Sequence, residues 1–160
     1  MTLSELNRLP RYRAEEEFLK CCASRAWARA MARRRPFASS DRLAQAATEI
    51  WQGLDASDWI EAFAAHPRIG ERNVNGAPAQ EQTGMHSATT TVATAMDEAN
   101  QEYFDRFGFI FIICASGKTA EEMLSSLRSR LSHTPEEEVR VAAEEQNRIT
   151  HLRLGRIFPG

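Results

Sequence analysis

Three groups of residues in this chain have the types and surroundings that proton transfer and anion binding need. The first is His66, followed directly by Pro67, Arg68, Ile69 and Gly70. It stands seven residues after Trp59, four after Ala62 and three after Phe63, so on a helix it shares their apolar face. Pro67 disfavours helical geometry at the residue before it, so the helix is expected to stop at His66, in its last turn. A helix C-terminus favours a cation, which makes an inward imidazole there a candidate general acid. A satisfied core histidine closing the helix is the alternative. The second group is Glu81-Gln82. Glu81 offers a base, a proton relay or an acceptor for a substrate N–H. Gln82 offers both a donor and an acceptor to a flat, amide-like ligand. A solvated acid at the start of a short helix would be written in the same letters. The third is Arg153, which follows Ala142, Gln146 and Ile149 in steps of four, three and four. A guanidinium on the face of Ile149 needs an anionic partner: a substrate carboxylate, matching its fork, or an internal Asp or Glu.

These residues must be carried by helices. SSDRLAQAATEIWQGL has Ser39, Ser40 or Asp41 as a cap and Leu43, Ala46, Ala47, Ile50, Trp51 and Leu54 on one helical face. A second helix is expected from Asp55 or Ser57, with Trp59, Ala62 and Phe63 as its stripe. Residues 88–107 repeat the pattern, and Gly108 suits a C-terminal stop. Thr119 to Glu122 reads as a capping box, as does Thr134 to Glu137 with Pro135 at the first helical position. The exception is FGFIFIICASGK, residues 107–118, a continuous apolar run with no second strand to pair with. It is expected to cross the core as a buried non-helical segment near 109–115. The longest stretch without periodicity is 67–87, and long loops in compact domains are often functional. The expected architecture is all-α: a single-domain multi-helix bundle over residues 1–160.

Composition narrows the classes. The formal net charge of −2 gives no field for nucleic acid, and Arg33-Arg34-Arg35 is the one basic run, expected to be a solvated helix end. No apolar run approaches the roughly 20 residues of a membrane span, and the N-terminus lacks the apolar core of a signal peptide. Cys21, Cys22 and Cys114 are odd in number and form no CxxC pair, so a reducing, cytoplasmic setting is expected. Cys114, inside the apolar run, reads as a core filler rather than a nucleophile. His86, His133 and His151 make no HxxxH or HExxH spacing with each other or with His66, so no metal is assigned.

Taken together, HPRIG at 66–70, EQ at 81–82, NQEYFDRFGFIFIICASGK at 100–118 and EEQNRITHLRL at 144–154 resemble the OHCU decarboxylase family, over essentially the whole chain. OHCU is 2-oxo-4-hydroxy-4-carboxy-5-ureidoimidazoline. LSELNRLP near the N-terminus also fits the family's opening. The resemblance implies an all-α enzyme of urate degradation that works without metal or organic cofactor, often as a homodimer, and decarboxylates OHCU to (S)-allantoin. It implies His66, Glu81 and Arg153 as catalytic. It gives Pro67, Gln82 and the backbone of Phe111, Ile112, Ile113, Cys114 and Ala115 as lining the substrate pocket. Pro78 is implied as a substrate-binding position too, and there the chain departs: the family usually carries a serine three residues before the glutamate, and the proline brings no hydroxyl to the substrate. Two rival readings stand beside this one. A metal-dependent hydrolase would use His66, Glu81 and His86. A helical binding module would leave Arg153 and the 66–82 stretch unexplained.

Overall fold

Hydroxyls and glycines set the helix ends where the sequence puts them. The computed structural model describes residues 1–71 and 80–159. Among these residues lie eight α-helices and no strand: α1 (Leu3–Arg8), α2 (Arg11–Leu19), α3 (Arg25–Arg34), α4 (Ser40–Gln52), α5 (Ala56–Phe63), α6 (Thr90–Phe107), α7 (Ala120–Arg130) and α8 (Pro135–Ile157). A 3-10 turn, Thr83–Ser87, precedes α6. The Ser39 hydroxyl accepts from the Arg42 N–H to open α4. Thr119 and Glu122 satisfy each other's backbone N–H groups at the start of α7. Thr134 and Glu137 do the same at α8. Each such cap supplies a partner to an otherwise orphaned first-turn donor. Gly108, at φ 80°, takes the left-handed conformation that stops α6.

The chain forms two compact units, Met1–Ala62 with Gln146–Gly160, and Phe63–Glu145. The first is built on aromatic packing. Phe18 meets Trp27 edge-on at 5.8 Å between ring centroids and lies 6.2 Å from Phe158. The indole N–H groups of Trp27 and Trp59 donate to the carbonyls of Ala47 and Trp51. Arg35 departs from the expected solvated helix end. It is half-buried, and its guanidinium donates to the carbonyls of Leu6, Leu9 and Ala32. Those are carbonyls in the last turns or at the ends of α1 and α3, where a cation is favoured. Arg33 and Arg34 are exposed as expected.

The second unit packs α6 against α7 around Tyr103, whose ring lies 4.7 to 5.9 Å from those of Phe107, Phe109 and Phe111. The apolar run is neither helix nor strand from Ile110 to Ala115. Phe109, Phe111, Ile112, Ile113 and Ala115 are buried within it, as the sequence led us to expect.

Candidate active site

α5 ends at Phe63, one turn before the expected stop. His66 follows in a turn, its N–H donating to the Phe63 carbonyl at 3.1 Å. The helix therefore yields ahead of Pro67, since the pre-proline restriction spoils the last turn rather than the last residue. His66 and Pro67 are both half-buried. Ile69 returns to the core at 5% exposure, and Asn100 on α6 donates its amide to the Ile69 carbonyl at 2.9 Å. Gly70 turns the chain at φ +81°, and a Cβ there would press on the Met85 side chain at 3.0 Å.

Glu81 is buried, at 6% exposure, which sets aside the solvated acid at a helix start. Gln82 is buried beside it, and its Oε1 accepts the Gly70 N–H at 3.0 Å. One acceptor of Gln82 is thus committed to tying the EQ pair to HPRIG. Gly84 makes the next attachment. A Cβ there would lie 2.0 Å from the Lys118 carbonyl oxygen, so only glycine lets the 3-10 turn reach the end of the apolar segment.

The 109–115 segment is held by side chains rather than by a neighbouring strand. Arg130, at 6% exposure, donates to the Ile112 carbonyl at 2.7 Å and lies over the Phe111 ring. Its Nε donates to Glu138 Oε1 at 2.6 Å. Glu138 is fully buried and also receives the Tyr103 hydroxyl at 2.6 Å, while its Oε2 meets His133 Nδ1 at 2.9 Å. Tyr103 is held protonated, its pKa raised by burial and by the bond to Glu138. Glu145, at 7% exposure, accepts the Cys114 N–H at 3.1 Å. Burial pushes the Cys114 thiol pKa up, and the carboxylates of Glu145 and, more weakly, Glu81 push the same way. The thiol is therefore a poor nucleophile, as its place in the apolar run suggested.

His66, Pro67, Glu81, Gln82 and the 111–115 backbone all belong to this unit, and Gln82 is tied to Gly70 of the HPRIG stretch. Arg153 belongs to the other unit. It is half-buried on α8, and its charge reaches both thiols of the Cys21–Cys22 pair. Burial pushes Cys21 up to about 12 and Cys22 to about 11, with Arg153 opposing the shift in each case. Pro78 lies outside the described residues. His86 is exposed.

Arg130, Glu138, Glu145 and Asn100 did not stand out in the sequence, though a signal was present for three of them. Glu138, Ala142, Glu145 and Ile149 run in steps of four, three and four, which puts two carboxylates on an apolar face. Met123, Leu127 and Arg130 share a stripe in the same way. A buried carboxylate can take up or release a proton where a substrate reaches it, and a buried irregular backbone can pair with amides.

The sequence profile of a family described as OHCU decarboxylase matches residues 7–155. The chain is 39% identical over 153 residues to the uric acid degradation bifunctional protein TTL of Arabidopsis thaliana, covering 90% of this chain but only 47% of that protein. It is 27% identical to the 2-oxo-4-hydroxy-4-carboxy-5-ureidoimidazoline decarboxylase of Haloferax volcanii, covering 99% of this chain and 96% of that one. A solved structure of OHCU decarboxylase in the presence of (S)-allantoin superposes with a TM-score of 0.82 at 37% identity, covering 91% of this chain and 99% of the other.

Proposed function

The chain belongs to the OHCU decarboxylase family, and we propose that residues 1–160 form one functional domain in which His66, Glu81 and Arg153 carry out the decarboxylation of OHCU to (S)-allantoin. The activity is that of a carboxy-lyase of uric acid degradation. The observation that carries the substrate is the likeness, over 91% of this chain, to a decarboxylase solved with (S)-allantoin.

The chemistry needs little beyond placement and protons. Breaking the bond to the departing carbon dioxide leaves an electron pair on the ring carbon that also bears the hydroxyl. The pair flows into the bond to the neighbouring ring carbon, and the imine pair moves onto nitrogen, which takes a proton. The substrate thus supplies its own electron sink, which is why this reading includes no cofactor. The enol so formed becomes the ring carbonyl when its hydroxyl loses a proton and the neighbouring carbon gains one. Delivery to one face of that carbon sets the allantoin stereocentre. We assign that delivery to His66, with Glu81 sharing the proton traffic at the hydroxyl and the ring. Arg153 enters through its place in EEQNRITHLRL, as the anchor for an anionic substrate oxygen. Pro67, the free amide hydrogens of Gln82 and backbone groups of 111–115 take the ring and ureido amides. Burial of Glu81 and the irregular, buried course of 110–115 support these roles.

A cytoplasmic homodimer completes the reading. Three free cysteines fit a reducing compartment, and no helix among the described residues is long and apolar enough to cross a membrane.

Circular dichroism during urate breakdown by urate oxidase and a hydrolase tests the function. Added protein is expected to speed growth of a dextrorotatory allantoin signal. His66→Ala and Glu81→Ala should each abolish that stereoselective course while their helical spectrum and cooperative unfolding persist. Wild-type turnover in either variant removes that residue from the mechanism.

A further inference from the structure

The two grips on the apolar segment fall on either side of one residue. Arg130 Nη1 holds the Ile112 carbonyl at 2.7 Å, and Glu145 Oε1 holds the Cys114 N–H at 3.1 Å. Ile113 lies between them at 5% exposure. Among the described residues, no hydrogen bond reaches the backbone N–H or C=O of Ile113, nor those of Phe111. Buried backbone groups are almost always paired, so this pattern marks a place where the pairing comes from outside the fold. The grips themselves are costly. A guanidinium and two carboxylates are removed from water where apolar side chains could fill the volume, and an ion pair so buried is weak evidence for a stabilising role. What an apolar replacement could not do is fix a carbonyl and an amide two residues apart.

We propose that Arg130 and Glu145 are positioning residues for the decarboxylation. By holding Ile112 C=O and Cys114 N–H, they keep the backbone groups of Ile113 set for the amide groups of the substrate. Neither touches the reacting atoms, and the proposal rests on the decarboxylase reading above. The bond from Arg130 to Glu138, and the ring of Phe111 beneath the guanidinium, fix the arginine in the one arrangement that also reaches Ile112. Lysine cannot repeat this, because its ammonium is a point charge without a fork.

The test compares variants that damage the same neighbourhood in different ways. Arg130→Lys keeps a positive charge beside Glu138 and loosens Ile112. Tyr103→Phe removes another Glu138 bond but leaves Ile112 held. Arg130→Lys is expected to raise KM and the Kd for (S)-allantoin about tenfold, the loss of one well-placed buried contact, with kcat changed less. Tyr103→Phe is expected to lower Tm comparably and leave KM and Kd within about twofold. Glu145→Leu should follow Arg130→Lys, and Glu145→Gln, which keeps an acceptor for Cys114, should recover most of that loss. If Arg130→Lys does not fold, the Glu145 pair decides alone.

Equal shifts in Arg130→Lys and Tyr103→Phe would make the cluster purely structural and overturn the proposal. So would unchanged binding in Glu145→Leu, or Glu145→Gln as damaged as Glu145→Leu. A wild type that neither turns over OHCU nor binds (S)-allantoin would sink the decarboxylase reading, and the proposal with it. A wild type that does both, beside flat variants, would sink the positioning role alone.

Discussion

The Met1–Ala62 and Gln146–Gly160 unit and the Phe63–Glu145 unit solve the same problem with different materials. In the first, Phe18, Trp27, Met31, Trp51 and Phe158 fill the interior, and the indole N–H of Trp27 finds a helix carbonyl. In the second, a fully buried carboxylate, Glu138, gathers a tyrosine, an arginine and a histidine, and the arginine reaches on to a backbone carbonyl. An apolar interior needs only volume and shape, and neighbouring side chains can adjust to changes in it. A buried polar cluster needs every member present, because each partner left behind is an uncompensated charge or donor. The unit that carries His66 and Glu81 is the one built the less forgiving way.

Breaking the comparison at its strongest point means taking the ion pair apart. Arg130→Met leaves the Glu138 carboxylate buried without its cation, and Glu138→Leu leaves Arg130 without its anion. Each should cost about 3–5 kcal/mol in urea denaturation. The double variant should cost far less than the sum, because it removes both charges at once. Additive losses would mean that the two charges act independently and that the contrast between the units is false. Of similar size, Phe18→Ala should cost about 3–5 kcal/mol through the cavity it leaves, with no recovery from any second apolar deletion beside it. Tilted or edge-on contacts with Trp27, Phe37 and Phe158 make Phe18 the residue where that loss concentrates.

The same contrast governs what could be read from the chain. Apolar periodicity and caps located α4, α6, α7 and α8 to within a residue or two, because Ser39, Thr89, Thr119 and Thr134 supply caps that act locally. The buried course of 109–115 was legible from its composition alone. The end of α5 was misjudged by one turn, since a proline's influence runs back along the helix by an amount that tertiary packing decides. Arg35 was misjudged because the carbonyls it serves belong to residues far away in the chain. Arg130 and Glu138 were missed for the same reason. Their spacing put them on apolar faces, but a charge on such a face has meaning only once its partner is known. The side chains that hold the backbone of the apolar segment, Arg130 and Glu145, were not legible as such.

His151 sharpens the comparison from the other side, as a polar contact inside the Met1–Ala62 and Gln146–Gly160 unit. Its Nε2 lies 2.7 Å from the Thr48 hydroxyl, which also accepts the Asn147 amide at 3.2 Å. Burial lowers its pKa from the ordinary value of 6.5. The folded protein therefore resists a proton that the unfolded chain accepts, so stability is full above pH 6.5 and falls as pH drops through it. The fall stops once the folded histidine also takes its proton. His151→Gln can keep a bond to Thr48 without titrating, so its urea midpoint should lose less than that of the wild type between pH 7.5 and 5.5, about a unit to either side of an ordinary histidine pKa. This should be the smallest of the effects, because one half-buried neutral histidine is a milder commitment than a buried ion pair. Parallel pH profiles for wild type and variant would show that His151 carries none of the acid sensitivity.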